Sequence, residues 1–121
     1  MTSTLDAITS ADPDSPASAN ARELWDADII YGFGTDSDFP PQEALRRELA
    51  ALGQSFSDQE IFSILTKNAA LAARRDDALG TLDRGKFADI IILDGDPLTD
   101  IENVFNIRIV IKTGRIVVDN R

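Results

Sequence analysis

Histidine is absent from the sequence, and so is cysteine. The first absence removes the commonest metal ligand, the usual general base and every Ser-His-Asp or Cys-His arrangement. The second excludes a disulfide framework and a thiolate zinc site. Basic residues are scarce: 12 Lys and Arg stand against 21 Asp and Glu, a net charge of −9. Nucleic acid and anionic membranes are therefore poor partners, because phosphate rewards clustered cations. No apolar run approaches the ~20 residues that span a bilayer, and the first residues lack the basic start and apolar middle of a signal peptide. The expectation is one soluble, cytoplasmic α/β domain with a modest core.

Residues 1–20 are mostly Ser, Thr, Ala, Asp and Pro without an apolar period. Such a stretch buries too little to offset its ordering entropy, so a disordered acidic arm is expected there. A helical turn carrying Leu24 and the single Trp25 follows. Residues 28–36 then read as a strand: Ile29 and Ile30 lead through Gly32 and Gly34 to Thr35 and Asp36. A buried strand that ends in a carboxylate has the pattern of α/β sheets and barrels, which carry their chemistry at strand C-termini. Asp36 is the first candidate residue, and Asp38 is expected to cap or turn into the next helix.

That helix is predicted over 41–52, with Leu45, Leu49 and Leu52 at helical spacing and Glu43, Arg46, Arg47 and Glu48 on a solvated face. A second is predicted over 58–73, opened by the Ser57 to Glu60 spacing of a capping box. From Leu79 the period changes. Residues 87–93 are almost continuously apolar, as in a strand covered on both faces. Ile107, Ile109 and Ile111 alternate with polar or smaller residues, and Thr113-Gly114 turns the chain back as a β-hairpin. The divisions are 1–20 arm, 21–78 helices and strand, and 79–121 strands with the C-terminal hairpin.

Most chemical motifs fail on spacing. Gly32-x-Gly34 lacks the third glycine of a dinucleotide fingerprint, since position 37 is Ser. Asp94, Asp96, Asp100 and Glu102 suggest a calcium loop, but the sixth position is Thr99 and the twelfth is Phe105. A solvated acidic turn fits better. No serine has a His partner or a correctly spaced Lys.

The order of the segments is more informative. Gly34-Thr35-Asp36-Ser37, then Ser57-x-x-Glu60 with Leu65-Thr66-x-Asn68-Ala69-Ala70, then Leu79-Gly80-Thr81-Leu82-x-x-Gly85-Lys86-x-Ala88-Asp89-Ile90 follow one another. Asp94-Gly95-Asp96-Pro97-Leu98 and Val110-Ile111-Lys112-x-Gly114-Arg115 complete the series. The series resembles the C-terminal end of a metal-dependent amidohydrolase, nearest the imidazolonepropionase-like and related dipeptidase branch. The resemblance implies the last strand and helices of a (β/α)8 barrel, an incomplete one, followed by C-terminal strands of a small β-sandwich.

It further implies that Asp36 is the family's last-strand carboxylate, a ligand of a zinc or similar divalent metal and the proton shuttle of amide hydrolysis. The family's His ligands and its bridging Lys or acid lie on strands that this chain lacks. One carboxylate does not make a zinc site, which needs three or four ligands. No metal is expected on the chain alone. The implied partner is a larger amidohydrolase chain carrying the missing His residues; the alternatives are an inactive remnant and self-association through exposed strands.

Overall fold

The computed structural model describes residues 2–3, 16–30, 32–35 and 38–121. Its first unit is a strand, a helix and a strand: β1 (Thr2–Ser3), α1 (Pro16–Asp26) and β2 (Gly32–Phe33). The two strands pair in parallel, Thr2 with Gly32 and Ser3 with Phe33, and α1 lies in the long connection that a parallel pair requires.

This corrects the N-terminal expectation. Helix α1 begins at Pro16, inside the stretch that composition assigns to a disordered arm. Proline at the first helical position is pre-organised, and Ser18 and Ala21 are buried, so packing decides where propensity does not. A two-residue strand leaves no period for a sequence to show. Among the described residues the strand expected over 28–36 is Gly32–Phe33, and Asp28 and Ile29 are instead consumed in closing α1.

Helix α2 (Pro41–Leu52) is followed by α3 (Asp58–Ser63), a π turn (Ile64–Asn68) and α4 (Ala69–Ala72). The capping box is formed: the Ser57 Oγ accepts from the Glu60 N–H at 3.4 Å, and Glu60 Oε2 accepts from the Ser57 N–H at 2.9 Å. Asp38 does not cap α2. The N-cap is Pro40, without a side-chain bond, and Pro41 at the first position needs no partner for its nitrogen. Glu48 is also not on a solvated face. It follows Ala44 by four residues and precedes Leu52 by four, which places it on the buried stripe.

The core lies where α1, α2 and α3 meet: Ala21, Leu49, Ala51, Leu52, Phe56, Ile61 and Ile64. Trp25 packs edge-on to Phe56 with ring centroids 5.4 Å apart.

The second half is a three-stranded antiparallel sheet in the order β3 (Ile90–Leu93), β4 (Ile107–Lys112), β5 (Arg115–Asp119). A short 3-10 helix (Ile101–Phe105), capped by Asp100, leads into β4. Thr113 and Gly114 both have positive φ, 48° and 76°, as the tight turn of a two-residue hairpin requires. The strand expected to be covered on both faces is not: Ile91 is 56% exposed and Ile92 41%. Its apolar run needs cover on both sides, and the described residues provide only part of it.

Candidate functional site

The sequence-predicted site begins where β2 ends. Gly32 is buried, Phe33 to Thr35 are partly so, and the π turn and α4 pack against this strand. Asp36 and Ser37, the next residues, lie outside the described residues. Asp38 is exposed. Among the described residues, β2 therefore presents backbone and Phe33 but no carboxylate of its own.

Phe33 opens onto a groove of about 1320 Å³ between the helices and the sheet. Its walls are mainly apolar, with Leu45, Phe62 and Leu65 on the helical side and Ile91, Leu93 and Ile107 on the sheet side. A smaller cleft of about 380 Å³ holds Asp28, Ser63, Lys67 and Asn68 beside Trp25 and Leu71.

Asp28 in that cleft has a structural task. Its φ is +57°, its N–H bonds to the Trp25 carbonyl, and the Ile29 N–H bonds to the Leu24 carbonyl, each at 3.0 Å. These paired bonds around a left-handed residue form a Schellman stop for α1. Arg74 ends α4 in the same way, at φ +54° with Arg74 and Arg75 N–H groups bonded to Leu71 and Ala70 carbonyls.

The motif from Leu79 to Leu98 is likewise structural. The Lys86 Nζ donates to Thr81 Oγ1 at 2.7 Å and to the Leu79 carbonyl at 3.4 Å, closing the turn that contains Gly85 at φ +90°. The Ala88-Asp89 pair holds the hairpin tip. The Gly114 N–H donates to the Ala88 carbonyl at 2.9 Å, the Thr113 N–H to Asp89 Oδ1 at 2.7 Å, and Lys112 to Asp89 Oδ2. Lys112 and the Thr113 amide hold the Asp89 carboxyl below its usual range.

The acidic turn is occupied the same way. The Leu98 N–H donates to Asp96 Oδ1 at 2.9 Å, the Glu102 N–H to Asp100 Oδ1 at 3.0 Å, and Arg108 pairs with Asp94 at 3.3 Å. These carboxylates point to local amides and cations, not to a shared centre.

Two residues gain roles that the sequence did not signal. Arg22 of α1 reaches both oxygens of Glu60 at 2.9 and 3.0 Å and also pairs with Asp26. Burial pushes the Glu60 carboxyl up, but the Ser57 amide and Arg22 outweigh it and the net shift is downward. Arg46 of α2 stacks over the Phe105 ring at 3.8 Å and pairs with Glu102. Both contacts are long-range in sequence, so only charge and ring type could have hinted at them.

Among the described residues no three His, Cys, Asp or Glu side chains form a group able to hold a metal ion. With no His or Cys in the chain, this donor set does not fit a zinc site of three or four ligands.

The profile of the Amidohydrolase family matches residues 10–117. The imidazolonepropionase of Thermoanaerobacter pseudethanolicus is 36% identical over 80 residues, 63% of this chain and 19% of that protein. The crystal structure of a Xaa-Pro dipeptidase with bound methionine superposes with a TM-score of 0.70 at 26% identity, over 82% of this chain and 25% of the dipeptidase. An atrazine chlorohydrolase variant from Arthrobacter aurescens TC1, solved with zinc and atraton, gives 0.58 at 26% identity, over 83% of this chain and 27% of that one. This chain thus spans about a fifth to a quarter of the length of these relatives.

Proposed function

Because this chain belongs to the amidohydrolase family, we propose that it supplies the closing part of an amidohydrolase fold and acts in hydrolysis of non-peptide C–N bonds only when a larger chain completes it. The observation that carries this reading is the order β1, α1, β2, α2 with parallel pairing of β1 and β2. That is the repeating unit of a (β/α)8 barrel, and the antiparallel sheet after it corresponds to strands of a small β-sandwich. On this reading the chain contributes two barrel strands, one more than its sequence suggested.

Asp36 is the residue assigned to the chemistry. A carboxylate at a strand terminus can take a proton from attacking water and return it to the departing nitrogen, and it can give one oxygen ligand to a zinc-type ion. The other ligands would come from His residues of the partner chain, since this chain has none. No helix among the described residues is long and apolar enough to cross a membrane.

The test is to isolate the tagged chain from its source cells and examine what accompanies it. A larger His-bearing chain, bound metal, and amide hydrolysis that falls by at least about 100-fold in Asp36→Asn would support the reading. Absence of any such chain would sink it. A second reading, an inactive remnant that only binds, fits the same donor set among the described residues. It requires that Asp36→Ala leave every activity of the assembly unchanged.

A further inference from the structure

Leu82, Phe87 and Ile91 are 79%, 51% and 56% exposed, and all three line the groove between the helices and the sheet. Apolar surface left open along one groove marks a place where another molecule sits.

The charges in the groove run against the composition of the chain. Acids outnumber bases 21 to 12 over the whole sequence, yet the lining holds three cations, Arg46, Lys67 and Arg75, and one carboxylate, Asp89. The carboxylate is taken by Lys112 and the Thr113 amide, and Arg46 by Glu102 and the Phe105 ring. Lys67 and Arg75 remain, and neither forms an ion pair with a described residue. An apolar trough with two uncommitted cations is complementary to apolar side chains flanked by carboxylates.

Size separates the two kinds of ligand that carry such groups. A pocket for a small molecule holds roughly 300–1,000 Å³, and a single apolar acid would leave much of this groove unfilled. A helix of about three turns, roughly 16 Å long and 10 Å wide, takes up a volume of the same order as the 1320 Å³ of the groove. A helix also satisfies its own backbone, whereas an extended segment laid on the apolar walls would leave amides without partners.

We propose that the groove docks an acidic amphipathic helix of a partner protein, its apolar stripe against Leu45, Phe62, Leu65 and Ile91 and its carboxylates toward Lys67 and Arg75. The proposal goes beyond the hydrolytic reading and does not require it, since the groove would take such a helix whether or not the partner brings metal ligands.

The test titrates the full chain into a fluorescently labelled peptide of about 14 residues, with leucines at helical spacing, glutamates flanking them, and Ala and Gln elsewhere. Saturable binding that weakens as salt is raised is expected. The double variant Lys67→Glu with Arg75→Glu should weaken binding about tenfold and should instead favour a peptide whose glutamates are replaced by lysines. That exchange of preference is not produced by misfolding. Ile91→Thr keeps a β-branched residue in β3 and should weaken both peptides alike, which locates them in the groove.

Failure of the acidic peptide to bind overturns the proposal, as does equal binding of the lysine peptide or an unchanged affinity in either variant. A peptide with a central proline that binds as well as the parent would mean an extended occupant, such as a strand on the β3 edge. Saturable binding of dodecanoate without binding of the peptide would assign the groove to a small apolar acid. A dimer of the chain that the peptide dissociates would assign it to a second copy. Each of these three results also overturns the proposal.

Discussion

Gly80 stands so close to Ala70 that a Cβ built on the glycine would come within 2.6 Å of the alanine Cβ. The Thr66 carbonyl would be 3.1 Å away and the Lys67 Cα 3.3 Å, so the turn at Gly80 rests directly on the π turn and the start of α4. Those elements in turn pack against β2, the strand that leads to Asp36. The glycine at this point links the motif after Leu79, through the π turn and α4, to β2.

Gly80→Ala is therefore expected to destabilise strongly. Gly80 has φ +89°, so alanine incurs backbone strain as well as the clash, together about 2–5 kcal/mol. Gly85 has nearly the same φ, +90°, but nothing within 4 Å of its would-be Cβ. Gly85→Ala should cost only the backbone part, about 1–2 kcal/mol. Urea denaturation of the two variants separates the terms; equal losses would mean that the contact with Ala70 contributes nothing.

The two helix stops give a prediction of opposite sign. Arg74 adopts a left-handed conformation that costs a residue with a Cβ about 1–2 kcal/mol relative to glycine. Arg74→Gly should raise stability, after the loss of unfolded-state restriction, by about 0.5–1 kcal/mol. Asp28→Gly should gain less, because aspartate tolerates this conformation better. The check is a thermal melt of each variant; a lower midpoint for Arg74→Gly would show that its side chain contributes more than its conformation costs.

Much of this was legible because it is local. Ser57 and Glu60 are three residues apart and need only each other, so the capping box could be read directly. Leu45, Leu49 and Leu52 announce their helix by spacing. Glu48 was misread because its charge was weighed above its place, four residues from Ala44 and from Leu52, on the buried stripe. Asp28 was read as part of a strand because its role, closing α1, is a backbone geometry that any short polar residue can share. The same holds for β1, too short to carry a pattern, and for the start of α1, which packing stabilises against its composition. The family resemblance rests on the glycines, Lys86 and Ala88-Asp89, and the structure gives each a turn or clamp to hold. Asp36, to which the proposed chemistry is assigned, lies outside the described residues.

The Asp89 clamp sets an acid limit on the hairpin. Its folded-state pKa is lowered, so its contribution is complete above the ordinary carboxylate pKa of about 4 and is lost as pH falls through the folded value. Amide protection at Thr113 and Gly114, taken relative to the intrinsic exchange rate at each pH, should fall on acidification more steeply than in the core helices. Asp89→Asn should remove most of that pH dependence while already loosening the tip at neutral pH. An unchanged exchange profile in the variant would show that Lys112 and Thr113 do not depend on the carboxylate.

Arg46 joins α2 to the 3-10 helix before β4, and two contacts compete for the credit. Its pairing with Glu102 is between side chains about half exposed, 53% and 52%, where screening leaves an ion pair about 0–1 kcal/mol. Its guanidinium also lies 3.8 Å from the Phe105 ring centroid, and Phe105 is packed against the core. A stacked cation in partly desolvated surroundings contributes about 0.5–2 kcal/mol. Double-mutant cycles should thus give a larger coupling for Arg46 with Phe105 than for Arg46 with Glu102. Raising the salt concentration should erase the second coupling and spare most of the first, because the ring quadrupole and packing are screened less than two solvated charges. If both couplings vanish together in salt, the stack is incidental and the charge pair alone fastens the sheet to the helices.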